Sequence, residues 1–148
     1  MPSDKKLYDL TSSLLDQQKL AVLATETAGQ PYCSLVAFVH GAGLKEIYFA
    51  TERDSSKYAH LTANARVALL IDNRKNSDQD FDLATAIQAM GMAQECDGQA
   101  AMIPRTLFLR KHPMLQAFID SPQSVFFCVH VNRYIIVREL LQVQSWTP

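Results

Sequence analysis

Four side chains between Thr51 and Lys57 carry the most pointed chemistry in this sequence. Thr51, Ser55 and Ser56 bring hydroxyls, and Lys57 brings a full positive charge. Asp54, Ser55 or Ser56 can each cap a helix that starts at about Lys57, because a short side-chain oxygen accepts from a free first-turn N–H. Such a helix start offers unpaired N–H groups and a partial positive charge. A lysine in the first turn works against that dipole, and a bound anion resolves the conflict. The plainer alternative is that Lys57 points into water and Asp54 offsets the dipole.

Side chains able to do catalysis unaided are not evident. There is no Gly-x-Gly-x-x-Gly, no Walker loop and no Gly-x-Ser-x-Gly elbow; Gly41-Ala42-Gly43 reads as a lone hairpin. His40, His60, His112 and His130 show no ligand spacing with one another or with cysteine, so no metal is expected. Cys33, Cys96 and Cys128 are odd in number and stand in apolar or strand-like contexts, which favours buried free thiols over a disulfide. No pair of carboxylates stands out as acid and base. The catalytic residue, if there is one, is unknown, and chemistry falls to a cofactor.

The elements that must position the hydroxyl–lysine group are a strand, a helix and a second strand. Ile47, Phe49 and Thr51 alternate with Glu46, Tyr48 and Ala50, as on a pleated strand. The helix runs roughly from Lys57 to Ala63 with Tyr58, Leu61 and Thr62 inward. The next strand, Arg66 to Asp72, is apolar on both faces. Upstream, Ser3 can cap a helix from about Asp4 to Gln18, with a stripe of Leu7, Leu10, Leu14 and Leu15. Strands follow at Leu20 to Thr25 and Tyr32 to His40, separated by a turn at Gly29 and opened by Pro31.

Downstream, Asn73 to Asp80 is a polar loop. A strand is expected from about Phe81 to Glu95, where Gly91 marks a bulge or a close approach by another group. Asp97 to Asp120 reads as two short helices, with Pro104 as an interruption and Pro113 ending or restarting the pattern. Two final strands, Val125 to Val131 and Tyr134 to Trp146, are expected to join at Asn132-Arg133. So many closely spaced strands do not suit a doubly wound fold, and closing the sheet into a barrel removes exposed edges.

A chain of 148 residues suits one domain spanning the whole sequence. It is 48% hydrophobic and 20% charged, with a net charge of −1, so nothing steers it to nucleic acid or to an acidic membrane. The N-terminus lacks the apolar core of a signal peptide, and no apolar run approaches transmembrane length. The expected location is cytoplasmic.

Five motifs in order carry a resemblance: Ala24-Thr25, Gly29-Gln30-Pro31, Tyr48-Phe49-Ala50-Thr51, Ser55-Ser56-Lys57, and Asn64 through Leu70. In this order and spacing the chain resembles the pyridoxamine 5′-phosphate oxidase-like family of FMN-binding split barrels. The likeness is good from about Leu20 to Asp72 and weaker beyond, where it rests on element order and Gly91.

The resemblance implies a mainly β fold, a six-stranded antiparallel split β-barrel with flanking helices. It implies a homodimer with FMN at the interface. Tyr32, Cys33, Ser34, Leu35, Val36 and Ala37 would line the isoalloxazine. Ala50 and Thr51 would approach the ribityl phosphate, and Ser55, Ser56 and Lys57 would bind it. Two positions depart from the oxidase pattern. Ser56 stands where the oxidases have an arginine, with Arg53 or Arg74 as substitutes. Ala86 stands near their flavin-contacting glutamine, and Gln88 is two residues on.

Flavin binding is therefore carried over, and the vitamin B6 reaction is not. The implied function is a flavin-dependent oxidoreductase acting on a small molecule. The alternatives are a non-catalytic flavin sensor or carrier, or a split barrel that binds a deazaflavin or haem with His60 or His112 as a ligand.

Overall fold

The computed structural model describes residues 4–148. Ser3, the expected first cap, lies outside the described residues. Helix α1, Asp4–Gln17, buries Leu7, Thr11, Leu14 and Leu15, while Leu10 packs at the margin of the same stripe. Strands β1 (Leu20–Thr27), β2 (Gln30–His40) and β3 (Glu46–Glu52) form an antiparallel meander. Helix α2 (Ser56–Ala63) leads into β4 (Arg66–Asp72), which returns beside β1. Next come a short helix α3 (Asp80–Leu83) and strand β5 (Thr85–Cys96). Helices α4 (Met102–Lys111) and α5 (Gln116–Asp120) precede β6 (Ser124–Arg138) and β7 (Gln142–Trp146).

The sheet order is β3-β2-β1-β4-β5-β6-β7, and β3 also pairs with β6. That last pairing closes a six-stranded antiparallel barrel, with β7 as an extra strand. Alternation along each strand fills the interior: Ala21 and Leu23, Val36 and Phe38, Ile47 and Phe49, Val67 and Leu69, Ile87 and Ala89, and Phe127 and Val129 are all buried.

A second apolar cluster lies outside the barrel wall. Val39, Tyr48, Ala50, Phe126 and Cys128 project outward from β2, β3 and β6 and meet Phe108 of α4 and Ile119 of α5. Lys111 pins this layer to the barrel: its amine donates to the Leu15 carbonyl at 2.8 Å and lies 3.9 Å over the Phe38 ring.

Four expectations need correction. First, no turn interrupts the chain at Asn132-Arg133, because β6 runs unbroken for 15 residues. Its first half pairs with β3 and its second half with β7, so one long strand serves two neighbours. Asn132 is instead a bulge: Met90 pairs with Arg133 and Gly91 with Val131. Gly91 also meets a close approach, since a Cβ there would lie 2.1 Å from the His130 carbonyl oxygen.

Second, Phe81 to Leu83 belong to a helical turn, not to the strand, and β5 starts at Thr85. The Asp80 carboxylate draws this loop in by accepting from the Lys75 and Ser77 N–H groups at 3.0 and 3.2 Å. Third, Pro104 does not interrupt α4. It sits in the first turn, where its missing N–H costs no helical bond. Fourth, Thr62 is exposed and bonds back to the Ala59 carbonyl, while Tyr58 and Leu61 do face inward. The chain turns back toward β7 through Glu139 and Leu140, both at positive φ, and Trp146 then stacks on Tyr134 and donates to Thr11.

Candidate functional site

A cavity of about 320 Å³ opens where the end of β3 meets the start of α2. Its walls include Leu35, Val36 and Ala37 from β2, Ala50 and Thr51 from β3, and Ser55 and Lys57 from the α2 entry. The structure thus brings together seven of the residues singled out in the sequence. It adds Glu52, Phe108 and Phe118, which the sequence did not point to. The two phenylalanines come from α4 and α5, and no local motif places those helices over this cavity.

Ser55 is the cap of α2: its hydroxyl accepts from the Tyr58 N–H at 3.1 Å and donates to the Glu52 carbonyl at 2.7 Å. Thr51 Oγ1 lies 3.1 Å from Ser55 Oγ. With its proton held by the Glu52 carbonyl and its oxygen taken by the Tyr58 N–H, Ser55 shapes the helix entry, and the Lys57 ammonium and the Ser56 and Lys57 N–H groups are left as donors for an anion. Lys57 is half-buried on the cavity wall, and burial lowers its pKa. Among the described residues no carboxylate pairs with it. A desolvated cation without a counter-charge, beside a helix N-terminus, is a site that favours an anion.

The other singled-out residues lie elsewhere. Ser56 is exposed and does not line the cavity. Tyr32 stacks on the His60 ring with centroids 4.0 Å apart. Cys33 is exposed, against the expectation of a buried thiol, whereas Cys128 is buried and Cys96 intermediate. Ser34 is half-buried. Arg53 is turned away, held 2.8 Å from Glu95 and near Tyr58. Arg74 lines a second cavity of about 450 Å³, which shares Leu35 with the first and also touches Leu20, Val22 and Leu70. His112 is buried and bonded to the Phe38 carbonyl, so neither it nor His60 is set on the wall of the first cavity.

Strand register explains where Cys33 and Gln88 sit. Leu35, Val22, Leu70 and Gln88 form one transverse row on the outer face of β2, β1, β4 and β5. Cys33, Ala24, Ala68 and Met90 form the next. Leu35 is 65% exposed, and Leu20, Leu70, Met90 and Met92 are exposed too. The barrel therefore carries an apolar outer face that runs from the cavity mouth across four strands.

A family model described as pyridoxamine 5′-phosphate oxidase matches residues 9–134. No curated protein matches the chain. Among solved structures, a haem-binding protein from Mycobacterium smegmatis superposes with a TM-score of 0.82 at 18% identity, over 99% of this chain and 59% of that one. This chain thus spans about three-fifths of that protein. General Stress Protein 26 from Bacillus anthracis superposes with a TM-score of 0.74 at 17% identity, over 96% and 98%. An FAD-binding protein from Mesorhizobium loti gives 0.66 at 18%, over 92% and 89%. These likenesses establish the shared fold.

Proposed function

Because this chain belongs to the pyridoxamine 5′-phosphate oxidase family, we propose that it binds FMN in the β3–α2 cavity and acts as a flavin-dependent oxidoreductase on a small molecule. The observation that carries the reading is Lys57, half-buried beside the first turn of α2 with no carboxylate partner among the described residues. Its ammonium and the helix N–H groups fit a phosphate by the chemistry of the donor set. Thr51 and Ala50 border the path from that phosphate toward Val36 and Leu35.

Bound flavin would supply hydride or electron transfer; the chain's residues bind, orient and shield it. Leu35, Ala37, Phe108 and Phe118 would offer apolar surface to a planar ring held in the cavity. Glu52 brings a negative charge to the rim and Ser56 replaces an arginine, so phosphate binding depends more heavily on Lys57 here.

The outer apolar face supports a homodimer with the flavin between the subunits. Leu35 lines the cavity and is also exposed on that face, so a second copy seated there would reach the cavity. An obligate interface of this kind buries more than ~2,000 Å².

Parallel titrations of FMN and riboflavin against the parent and Lys57→Ala test the proposal. A charge-assisted hydrogen bond contributes ~1.5–3 kcal/mol, so the variant should lose roughly ten- to a hundredfold in FMN affinity and almost none for riboflavin. The loss should shrink at high salt. An unchanged ratio of the two affinities removes Lys57 from the site.

A further inference from the structure

On the barrel wall away from the β3–α2 cavity, β3, β6 and β5 present a second polar group. Glu46 and His130 are directly paired across β3 and β6, and Cys128 is two residues before His130, so all three project from one face. A carboxylate oxygen, a thiol sulfur and an imidazole nitrogen from these side chains lie within 4.8 Å of one another. Cys128 Sγ is 3.1 Å from Glu46 Oε2, 3.7 Å from His130 Nε2 and 4.0 Å from His130 Nδ1. They open onto a cavity of about 330 Å³, bounded opposite by Ile103 and Pro104 at the start of α4.

We propose that Glu46, Cys128 and His130 form a binding site for a divalent thiophilic metal ion, zinc above all. The reading is independent of flavin binding. Ligands at ~2.3 Å (sulfur) and ~2.0 Å (nitrogen, oxygen) around a tetrahedral ion stand about 3.5 Å apart, a value bracketed by the 3.1 and 4.0 Å that separate Cys128 Sγ from Glu46 Oε2 and His130 Nδ1. One thiolate, one carboxylate and one neutral imidazole carry two negative charges, matching the ion. Cys128 now donates its proton to Glu46; a metal takes that proton's place, and one proton passes to solvent.

The surrounding residues already hold two ligands in place. Tyr48 donates to Glu46 Oε2 at 2.9 Å. Gln94 Oε1 lies 3.2 Å from His130 Nε2, so an Nε2–H donated to Gln94 leaves Nδ1 to face the ion. The fourth position opens to the cavity, where Cys96 stands on the rim.

Cobalt(II) titration of the reduced full chain tests this, since thiolate coordination gives a charge-transfer absorption. The parent should show that band at one ion per chain, and zinc should displace it. Cys128→Ser should abolish it, and Cys96→Ser should keep it. His130 is exposed, so His130→Ala leaves the core intact. Loss of an orienting neighbour alone costs about 10–100-fold in metal affinity, so loss of this ligand should exceed a hundredfold. A parent without the band overturns the site, as does a band that survives Cys128→Ser or an affinity unchanged in His130→Ala.

Discussion

At the scale of single residues, His112 makes the sharpest stability prediction. Its Nε2 lies 2.8 Å from the Phe38 carbonyl and the residue is only 2% exposed, so the folded state holds a neutral ring that donates through Nε2–H. Burial lowers its pKa, reinforced by the Lys111 and Lys19 charges and opposed by the bond to Phe38. A depressed pKa on a base means that the unfolded chain binds more protons between the folded value and the ordinary ~6.5. Stability therefore rises with pH across that interval and is lost as pH falls below about 6.5. Urea denaturation at a series of pH values should show that decline, and His112→Gln should flatten it. Parallel profiles for the two proteins would assign the acid sensitivity to another group. His112→Ala should cost roughly 2–4 kcal/mol, through a cavity and an orphaned carbonyl.

The same scale shows what the sequence could and could not disclose. Three capping candidates were legible, and geometry selected Ser55. Lys57 was legible because a first-turn lysine is electrostatically out of place. Phe108 and Phe118 were not, since tertiary packing alone brings α4 and α5 to the cavity. Cys128 and His130 are two apart, a spacing with no meaning until the segment is known to be a strand facing Glu46.

At the scale of elements, the β5–β6 pairing rests on Gly91. Gly91→Ala drives a Cβ to 2.1 Å from backbone oxygen, so one strand must shift. The cost should reach about 3 kcal/mol or more by denaturant midpoint. Gly29 provides the contrast: its φ is +83° but nothing lies within 4 Å, so Gly29→Ala should cost only the left-handed backbone strain, about 1–2 kcal/mol. Equal losses at the two positions would mean that the bulge yields freely. The bulge also explains the misread turn. Asn132-Arg133 has the polarity of a loop, and here the polarity serves an outward bulge that leaves the strand running. The strands around Val36 and Phe49 were legible from period-2 alternation, and those around Leu23 and Leu69 as short apolar runs bounded by polar turns.

At the scale of the whole molecule, the apolar outer face sets the prediction. Leu70 is centred in it, paired with Val22 on one side and Gln88 on the other. A charge there should split the proposed dimer, so light scattering should give twice the chain mass for the parent and the chain mass for Leu70→Asp. A monomeric parent at micromolar concentration with FMN bound would refute the dimer. No helix among the described residues is long and apolar enough to cross a membrane. Barrel closure was expected from the number of strands, but the partner that seals it was not, because β3 and β6 are far apart in the chain.

That distant pairing bears on how the protein reaches its native state. The β1–β2–β3 meander is joined by short turns and can form early, but β3 must wait for β6, which emerges after nearly all the intervening chain. Loop-closure entropy must be overcome before such a contact stabilises anything, so refolding should be slow for a chain this short. Until closure, β3 and β6 each expose a row of unpaired peptide groups next to apolar side chains. Aggregation should therefore compete with refolding most strongly in that interval, and dilution should raise the yield of closed barrels without changing the rate of closure within each chain.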